Sequence, residues 1–254
     1  MKVYTVSNSK GGIAKSSTAT ALAAVLTEKG KKVLLIDADP QGNSTDTYRA
    51  ETNGVATLYD VILDGDPLTM NEVIQHTDMG DIVASDKLLG DADKILSGDV
   101  SGMYRMADAI SELKGYDYVI IDTAPALNIL LFNCLIASDG VIIPVTTDRY
   151  SLQGLSQLNT SIREIQRRQN PKLAIEGLLI SRCKMQMKIS KEFRGLLDGV
   201  AEQMNTKVFG TAIRECVKVR EAQARKMSIL DYAPDCTAAA DYRAFTEELT
   251  GGKE

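Results

Sequence analysis

The sequence has little of what histidine metal sites, disulfide frameworks and membrane spans require. His76 is the only histidine, which excludes a metal site built from several histidines and argues against histidine acid–base chemistry. The four cysteines lie far apart without a C-x-x-C pair, so we predict reduced, mostly buried thiols in a cytosolic protein. No apolar run approaches the ~18 residues that cross a bilayer. A strand is predicted almost at the N-terminus, so we expect no signal peptide.

What is present fits a globular α/β protein with an uneven charge distribution. The chain has 254 residues, of which 44% are hydrophobic and 25% are charged, and its net charge is −5. Residues 1–150 carry 12 Lys/Arg against 21 Asp/Glu, whereas residues 151–254 carry 17 against 13. A basic C-terminal part indicates a candidate surface for a polyanion, because such binding depends on local potential rather than on total charge.

Short apolar runs rich in β-branched residues alternate with helical patterns along the chain. The predicted strands cover residues 3–6, 33–36, 82–84, 118–121, 141–145 and 174–180. The predicted helices cover residues 16–29, 88–96, 103–114, 129–137, 152–168 and 189–204, with a further short one at 58–63. This alternation predicts an α/β fold with one doubly wound, mostly parallel sheet and helices on both faces. Without a repeat or a linker, residues 1–254 are predicted to form a single domain.

The most informative segment is residues 10–17, Lys-Gly-Gly-Ile-Ala-Lys-Ser-Ser, which lies between a predicted strand and a predicted helix. A strand, a glycine-bearing loop ending in Lys-Ser and a helix form the layout of a phosphate-binding P-loop. Gly11 and Gly12 let backbone N–H groups turn toward a polyphosphate, and the helix N-terminus adds a positive dipole end. Lys15 supplies a point charge, and the Ser16 hydroxyl can bind Mg²⁺.

Two further apolar runs end in carboxylates. Residues 32–43 read Lys-Val-Leu-Leu-Ile-Asp-Ala-Asp-Pro-Gln-Gly-Asn and deliver Asp37 and Asp39 at the end of a buried-type strand. Residues 118–125 read Tyr-Val-Ile-Ile-Asp-Thr-Ala-Pro and deliver Asp122, as a Walker-B strand does. Ligands of open parallel sheets bind beyond the carboxyl ends of the strands, so we expect all three motifs to converge on one crevice.

The common P-loop pattern, G-x-x-x-x-G-K-[ST], requires glycine at two positions that hold Lys10 and Ala14 in this chain. The deviant P-loop pattern, K-G-G-x-x-K-[ST], fits residues 10–16. With the Asp-x-Asp-Pro-Gln-Gly-Asn segment and Asp122 in sequence order, the chain resembles the ParA/MinD-type ATPases, and the ParA-type partition ATPases in particular. The resemblance covers nearly the whole chain, including residues 139–145 and 220–222, and it is to the short form without an N-terminal helix-turn-helix.

The resemblance implies ATP and Mg²⁺ as cofactors and assigns a role to each motif. The predicted nucleotide-binding residues are Lys10, Gly11, Gly12, Ile13, Ala14, Lys15, Ser16 and Ser17. Ser16, Asp37 and Asp122 are the predicted magnesium residues, with Asp122 acting through a water. Asp39 matches the carboxylate that orients the attacking water. Spacing alone cannot rank Asp37 against Asp39, and one of the two could instead cap the following turn.

Lys10 and Ala14 carry more specific expectations. In related ATPases the lysine at position 10 reaches across an ATP-bound dimer to the partner's phosphates, so Lys10 joins Lys15 and Asp39 as a predicted catalytic residue. The family usually has glycine where this chain has Ala14. A Cβ there crowds the phosphates if φ must be positive, so we expect ATP binding to survive in weakened form.

The basic residues beyond residue 180 are predicted to contact DNA phosphates without sequence preference, as partition ATPases do when ATP is bound. The candidates are Lys184, Lys188, Arg214, Lys218, Arg220 and Arg225. We expect Arg214, Lys218 and Arg225 to share one face of a helix. A solvated, salt-bridged helix face is the competing interpretation.

The resulting hypothesis is a cytoplasmic, nucleoid-associated partition ATPase that hydrolyses ATP slowly and is stimulated by a ParB-like partner. One alternative is a MinD-like membrane-associated regulator of division placement, which needs a basic amphipathic C-terminal helix. Residues 241–249 are acidic instead, so we expect no membrane partner. An iron–sulfur carrier would need bridging cysteines. A small-molecule ligase on the same scaffold would be recognised by its products.

Overall fold

The computed structural model of the chain describes residues 1–63, 67–99, 101–147, 149–183 and 188–251. Within these ranges, helical residues 149–153 and 188–192 are described by their backbone alone. The predicted DNA contact Lys184 lies outside the described residues, and the side chain of Lys188 is likewise not described.

The described strands form one sheet, whose order is β3-β4-β2-β5-β1-β6-β7. Every pair is parallel except β3 with β4. The strands are β1 Lys2–Val6, β2 Val33–Ala38, β3 Ile74–Thr77, β4 Gly80–Val83, β5 Tyr118–Thr123, β6 Gly140–Val145 and β7 Ala174–Ile180. The central strands β2 and β6 are buried at every residue, as expected for a sheet covered on both faces.

Helices account for most of the connections between the strands. They are α1 Lys15–Glu28, α2 Asn43–Thr47, α3 Leu58–Ile62, α4 Met70–Val73, α5 Ala92–Leu96, α6 Arg105–Ser111, α7 Ile129–Ile136, α8 Arg149–Arg168, α9 Lys188–Gln203, α10 Val217–Ala224, α11 Ile229–Tyr232 and α12 Thr237–Thr250. In the described part of the chain, none of them is long and apolar enough to cross a membrane.

The hydrophobic core lies on both faces of the sheet. On one face, Val6 and Leu35 pack with the Ala-rich helix α1 and with Tyr242 and Phe245 of α12. The opposite face buries the alternate strand residues against α3 to α9, in two clusters on either side of α7. The predicted α/β fold with helices on both faces is therefore confirmed.

The structure differs from the predicted elements in two places. Strand β3 was not predicted, because its four residues alternate weakly and stay partly exposed at the sheet edge. His76 lies in that strand, where its Nδ1 is 2.6 Å from an Asp81 carboxylate oxygen. The helix predicted for residues 88–96 is a 3₁₀ turn, Lys87–Asp91, followed by the shorter α5.

Candidate active site

The loop of residues 7–14 connects β1 to α1 at the carboxyl edge of the sheet. The Asn8 amide donates to the Pro144 carbonyl at 2.7 Å and its Oδ1 accepts from the Lys10 N–H at 3.2 Å, so the loop is fixed to β6. The Ile13 side chain is buried, which leaves only its backbone available to a ligand. Gly12 and Ala14 both have φ of 71°. A turn this tight therefore uses the left-handed region twice, once at a residue with a Cβ.

Lys15 begins α1, and its ammonium lies inside the site. Its side chain is buried, and Nζ donates to the Lys10 carbonyl at 3.1 Å. Burial lowers the pKa of Lys15, while the nearby Asp122 and Asp39 carboxylates act in the opposite direction. The arrangement holds a cation at a helix N-terminus, next to two carboxylates and to the N–H groups of the loop.

Asp37 and Asp122 are neighbours on the paired strands β2 and β5, and both are fully buried. Burial raises the pKa of both carboxyl groups, and the Asp122 charge adds to the effect at Asp37. Hydrogen bonds from the Ser16 and Ser44 hydroxyls oppose the shift at Asp122, and Ser44 donates to its Oδ2 at 2.7 Å. Its Oδ1 is buried and has no hydrogen-bond partner among the described residues. One carboxylate oxygen is thus left for a ligand near Ser16.

Asp37 and Asp39 hold the segment that follows β2. Asp37 accepts from the Thr45 N–H and hydroxyl at 2.7 and 2.8 Å, and from the Asp39 N–H at 3.1 Å. Asp39 Oδ1 accepts from the Gln41 N–H at 3.0 Å, and the Ser85 hydroxyl donates to the Asp39 carbonyl at 2.6 Å. Oδ2 of Asp37 therefore anchors α2 and its Oδ1 holds the Asp39 N–H, whereas the Asp39 side chain lines a cavity.

A cavity of about 440 Å³ opens above the loop, at the carboxyl edge of the sheet. Its lining includes the predicted residues Gly11, Gly12, Ala14, Lys15, Ser16, Ser17 and Asp39. Lys10 is half-buried beside the cavity rather than in its described wall. The volume and the concentration of loop N–H groups around Lys15 suit an elongated anionic ligand.

The opposite wall of the cavity comes from the C-terminal part of the chain, and the sequence motifs do not predict it. The Gln223 amide donates to the Ser17 hydroxyl at 2.9 Å, and Arg182 donates to the Gly12 carbonyl at 3.0 Å. Other members of this wall are Ile213, Glu215, Cys216, Val219 and Tyr242. No local motif marks these residues, because they reach the loop only through tertiary packing.

The predicted DNA-binding residues divide into two groups. Arg214 and Arg220 line the cavity, whereas Lys218 and Arg225 lie on or next to the exposed side of α10. The expectation that Arg214 shares a helix face with Lys218 and Arg225 is wrong. Arg214 precedes the helix, which begins at Val217. Asp241 accepts hydrogen bonds from its backbone N–H at 2.9 Å and from its guanidinium at 2.7 Å.

Comparison with known proteins places this site in a family. A family model described as an AAA domain matches residues 1–175. The chain is 33% identical to the sporulation initiation inhibitor protein Soj of Bacillus subtilis, over 98% of each protein. It is also 31% identical to the chromosome partitioning protein ParA of Caulobacter vibrioides, over 98% of the chain and 94% of ParA. The chain belongs to the ParA-type family of P-loop ATPases.

A solved structure extends the comparison to the whole fold. Cobyrinic acid a,c-diamide synthase from Mycobacterium smegmatis, with bound ADP and magnesium, superposes with a TM-score of 0.84 at 28% identity. The match covers 100% of this chain and 97% of that one. The ParA-type fold therefore also serves a protein whose name denotes synthesis rather than partition.

Ala14 departs from the usual ParA-type loop, and its left-handed conformation allows a direct test. An L-residue in this region is strained by about 1–2 kcal/mol, and a β-branched residue by more. We expect Ala14→Gly to bind ATP at least as tightly as the native protein, since strain and a cavity-lining methyl are removed together. Ala14→Val should lower both thermal stability and ATP affinity. Thermal unfolding with and without ATP–Mg²⁺ measures both effects, and equal behaviour of Gly and Val variants would contradict the strain argument.

Proposed function

We propose that this chain is a partition ATPase that binds ATP and Mg²⁺, dimerises on ATP, and binds DNA without sequence preference. The observation that supports the proposal most is the assembly of Lys15, Ser16, Asp39 and Asp122 at one sheet edge, next to a cavity of nucleotide size. The full-length similarity to Soj and ParA supports the partition role. We further propose a single domain over residues 1–254, cytoplasmic and nucleoid-associated when ATP is bound.

Mg²⁺ fits the residues that the site provides. Mg²⁺ in phosphate sites takes one or two protein oxygens, together with phosphate oxygens and waters. The Ser16 hydroxyl is such an oxygen, and the unpartnered Oδ1 of Asp122 can accept a hydrogen bond from a metal-bound water. No cluster of three His, Cys, Asp or Glu suited to a metal occurs among the described residues. Bound Mg²⁺ supplies positive charge to the phosphates. Asp37 lies near this site and supports it by anchoring α2 through Thr45.

Each remaining loop residue has a proposed task toward ATP. The N–H groups of residues 11–17 and the Lys15 ammonium bind the phosphates, and Asp39 orients the attacking water. Lys10 is fixed by its backbone beside its own cavity, so its ammonium is proposed to serve the phosphates of a second subunit. Charge added only in the dimer makes hydrolysis depend on assembly, and a ParB-like partner is proposed to accelerate it.

A MinD-like membrane role is less well supported by the C-terminal helix. Tyr242 and Phe245 bury the apolar side of α12 against α1 and the sheet, so this side is already used by the core. A lipid surface would have to be bound by the remaining polar side, where Glu247 pairs with Lys29 at 3.3 Å.

Amide synthesis is the second candidate, favoured by the similarity to the cobyrinic acid synthase. Incubation with ATP and Mg²⁺ alone separates the two functions. A partition ATPase releases ADP and phosphate slowly without a second substrate, and light scattering shows a monomer in ADP and a dimer in ATP. A mass that ATP does not change, with no phosphate released until a carboxylic acid and an amide donor are added, would favour synthesis.

DNA binding is expected to depend on ATP and on the exposed cations around α10. Lys218 lies 2.9 Å from Glu221, and both Lys218 and Arg225 contact the Tyr232 ring, so the two cations share one surface. The dimer doubles this set, which raises affinity through effective concentration. The double variant Lys218→Glu with Arg225→Glu should lose at least about tenfold in DNA affinity while ATP-dependent dimerisation persists.

A mobility shift on two unrelated duplexes, with ATP, ADP or no nucleotide, measures this effect. Reversal of Arg167 and Arg168, exposed cations at the end of α8 remote from the cavity, is the matched control. Native binding should ignore sequence and weaken steeply with salt, because neutralised phosphates release counterions. Equal binding in all nucleotide states, or an equal loss in the α8 control, would contradict the proposal.

A further inference from the structure

Two cysteines that are distant in the sequence meet at the wall of the cavity. Cys216 directly precedes α10, Cys236 directly precedes α12, and the two thiols are close enough that each affects the pKa of the other. Arg214 fixes the approach, since its guanidinium bonds both Asp241 and the Thr237 carbonyl of α12. Both thiols are free and half-buried.

Each thiol also lies at a helix N-terminus, where backbone N–H groups favour a thiolate. The Ala239 N–H donates to the Cys236 sulfur at 3.4 Å. At Cys216 partial burial opposes ionisation, but the polar groups around the sulfur (the Lys218 N–H, Thr237 and Cys236) outweigh it, and the pKa of this thiol is lowered. At Cys236 burial prevails and raises the pKa. The pair is therefore asymmetric, with Cys216 as the more nucleophilic partner.

The other two cysteines differ in their surroundings. Cys134 and Cys183 are buried at 0% and 5% exposure, and burial raises the pKa of Cys134 to about 12. An oxidant in solution therefore meets only one thiol that is both accessible and readily ionised. That thiol, Cys216, also lines the cavity.

We propose that Cys216 and Cys236 form a reversible dithiol–disulfide pair that is oxidised by a peroxide. The Cys216 thiolate attacks one peroxide oxygen, the O–O bond breaks, and hydroxide (or alkoxide) leaves to give a sulfenic acid. The Cys236 sulfur then attacks the Cys216 sulfur, the S–OH bond breaks, and the hydroxyl leaves as water with the Cys236 proton. Two thiols are oxidised, one peroxide is reduced, and a dithiol reductant reverses the reaction.

The disulfide would join the N-terminus of α10 to that of α12. In the reduced protein the Arg214–Asp241 ion pair already ties the segment before α10 to α12, without a covalent bond. The bridge would thus fix one wall of the cavity covalently, through residues that the P-loop motif does not include.

The test treats the full, reduced chain with hydrogen peroxide at stoichiometric dose and maps thiols by mass spectrometry. We expect an intramolecular 216–236 disulfide that dithiothreitol reverses, while Cys134 and Cys183 stay reduced. Cys236→Ser should accumulate a sulfenic acid at Cys216 that dimedone traps. Cys216→Ser should leave Cys236 unoxidised at the same dose. Cys183→Ser is the matched control and should still form the bridge.

Three results would overturn the proposal. One is absence of the 216–236 link in folded native protein while thiols elsewhere are consumed. Another is a link only between molecules, seen as a dimer on a non-reducing gel. The third is oxidation of Cys236 in Cys216→Ser at the native rate, which would show that Cys216 is not the thiol that reacts first with peroxide. Thermal unfolding of each variant is the check on its fold, and we expect the serine variants to unfold near the temperature of the native protein.

Discussion

Replacement of Lys15 by alanine is expected to abolish ATP binding, with an affinity loss of about 100-fold or more. The Lys15 ammonium is buried between the loop and the carboxylates Asp39 and Asp122. Its removal takes away a charge-assisted contact to the phosphates and leaves the two carboxylates facing the ligand without a compensating cation. Isothermal calorimetry with ATP and Mg²⁺ measures the effect.

Lys29→Ala is the control, since it removes the same charge at the opposite end of α1, where Lys29 is exposed and pairs with Glu247. Its ATP affinity should equal that of the native protein. Native affinity in Lys15→Ala, or no ATP binding by the native chain, would show that the P-loop interpretation is wrong.

The second large effect is expected at Asp39. Asp39→Ala should slow ATP hydrolysis by about 100-fold or more, because the proposed group that orients water is lost. ATP binding should persist, so the dimer should accumulate. Phosphate release and light scattering in ATP measure the two quantities on the same sample.

Asp39 also positions the following turn through the Gln41 N–H, so Asp39→Asn is the matched variant. It keeps an oxygen that accepts this hydrogen bond but carries no charge. Both variants should be slow and dimeric in ATP. Rapid hydrolysis by Asp39→Asn would reduce Asp39 to a structural residue, and an ATP-independent mass in both variants would refute the dimer model.

The sequence was sufficient for the parallel sheet and for the converging motifs, since both depend on local patterns. Buried apolar runs predict the strands β1, β2, β5 and β6, and carboxylates lie at the C-terminal ends of β2 and β5. The edge strand β3 is not predicted, because a half-exposed strand of four residues shows no clear alternation of apolar and polar residues.

The parts of the site that the sequence does not predict depend on contacts between residues that are distant along the chain. Gln223 reaches Ser17, and Arg182 reaches the Gly12 carbonyl, at sequence separations of 206 and 170. Arg214 likewise lies outside α10 and pairs with Asp241, at a sequence separation of 27. Side-chain pairing of this kind is decided by tertiary geometry, so neither the cavity wall nor the meeting of Cys216 with Cys236 could be predicted from the sequence.

The position of β1 in the sheet also means that β1 is synthesised well before the two strands that pair with it. β1 pairs with β5 on one side and with β6 on the other, so its register partners are Tyr118 to Asp122 and Gly140 to Ile142. At ~5–20 residues per second, a ribosome needs on the order of ten seconds to deliver them after β1 has emerged. During that interval the apolar strand that leads into the loop has neither neighbour. A nascent chain that ends before β5 therefore carries the complete P-loop motif without the sheet that holds it. Its β1 segment has unpaired edges to which chaperones or another nascent chain can bind.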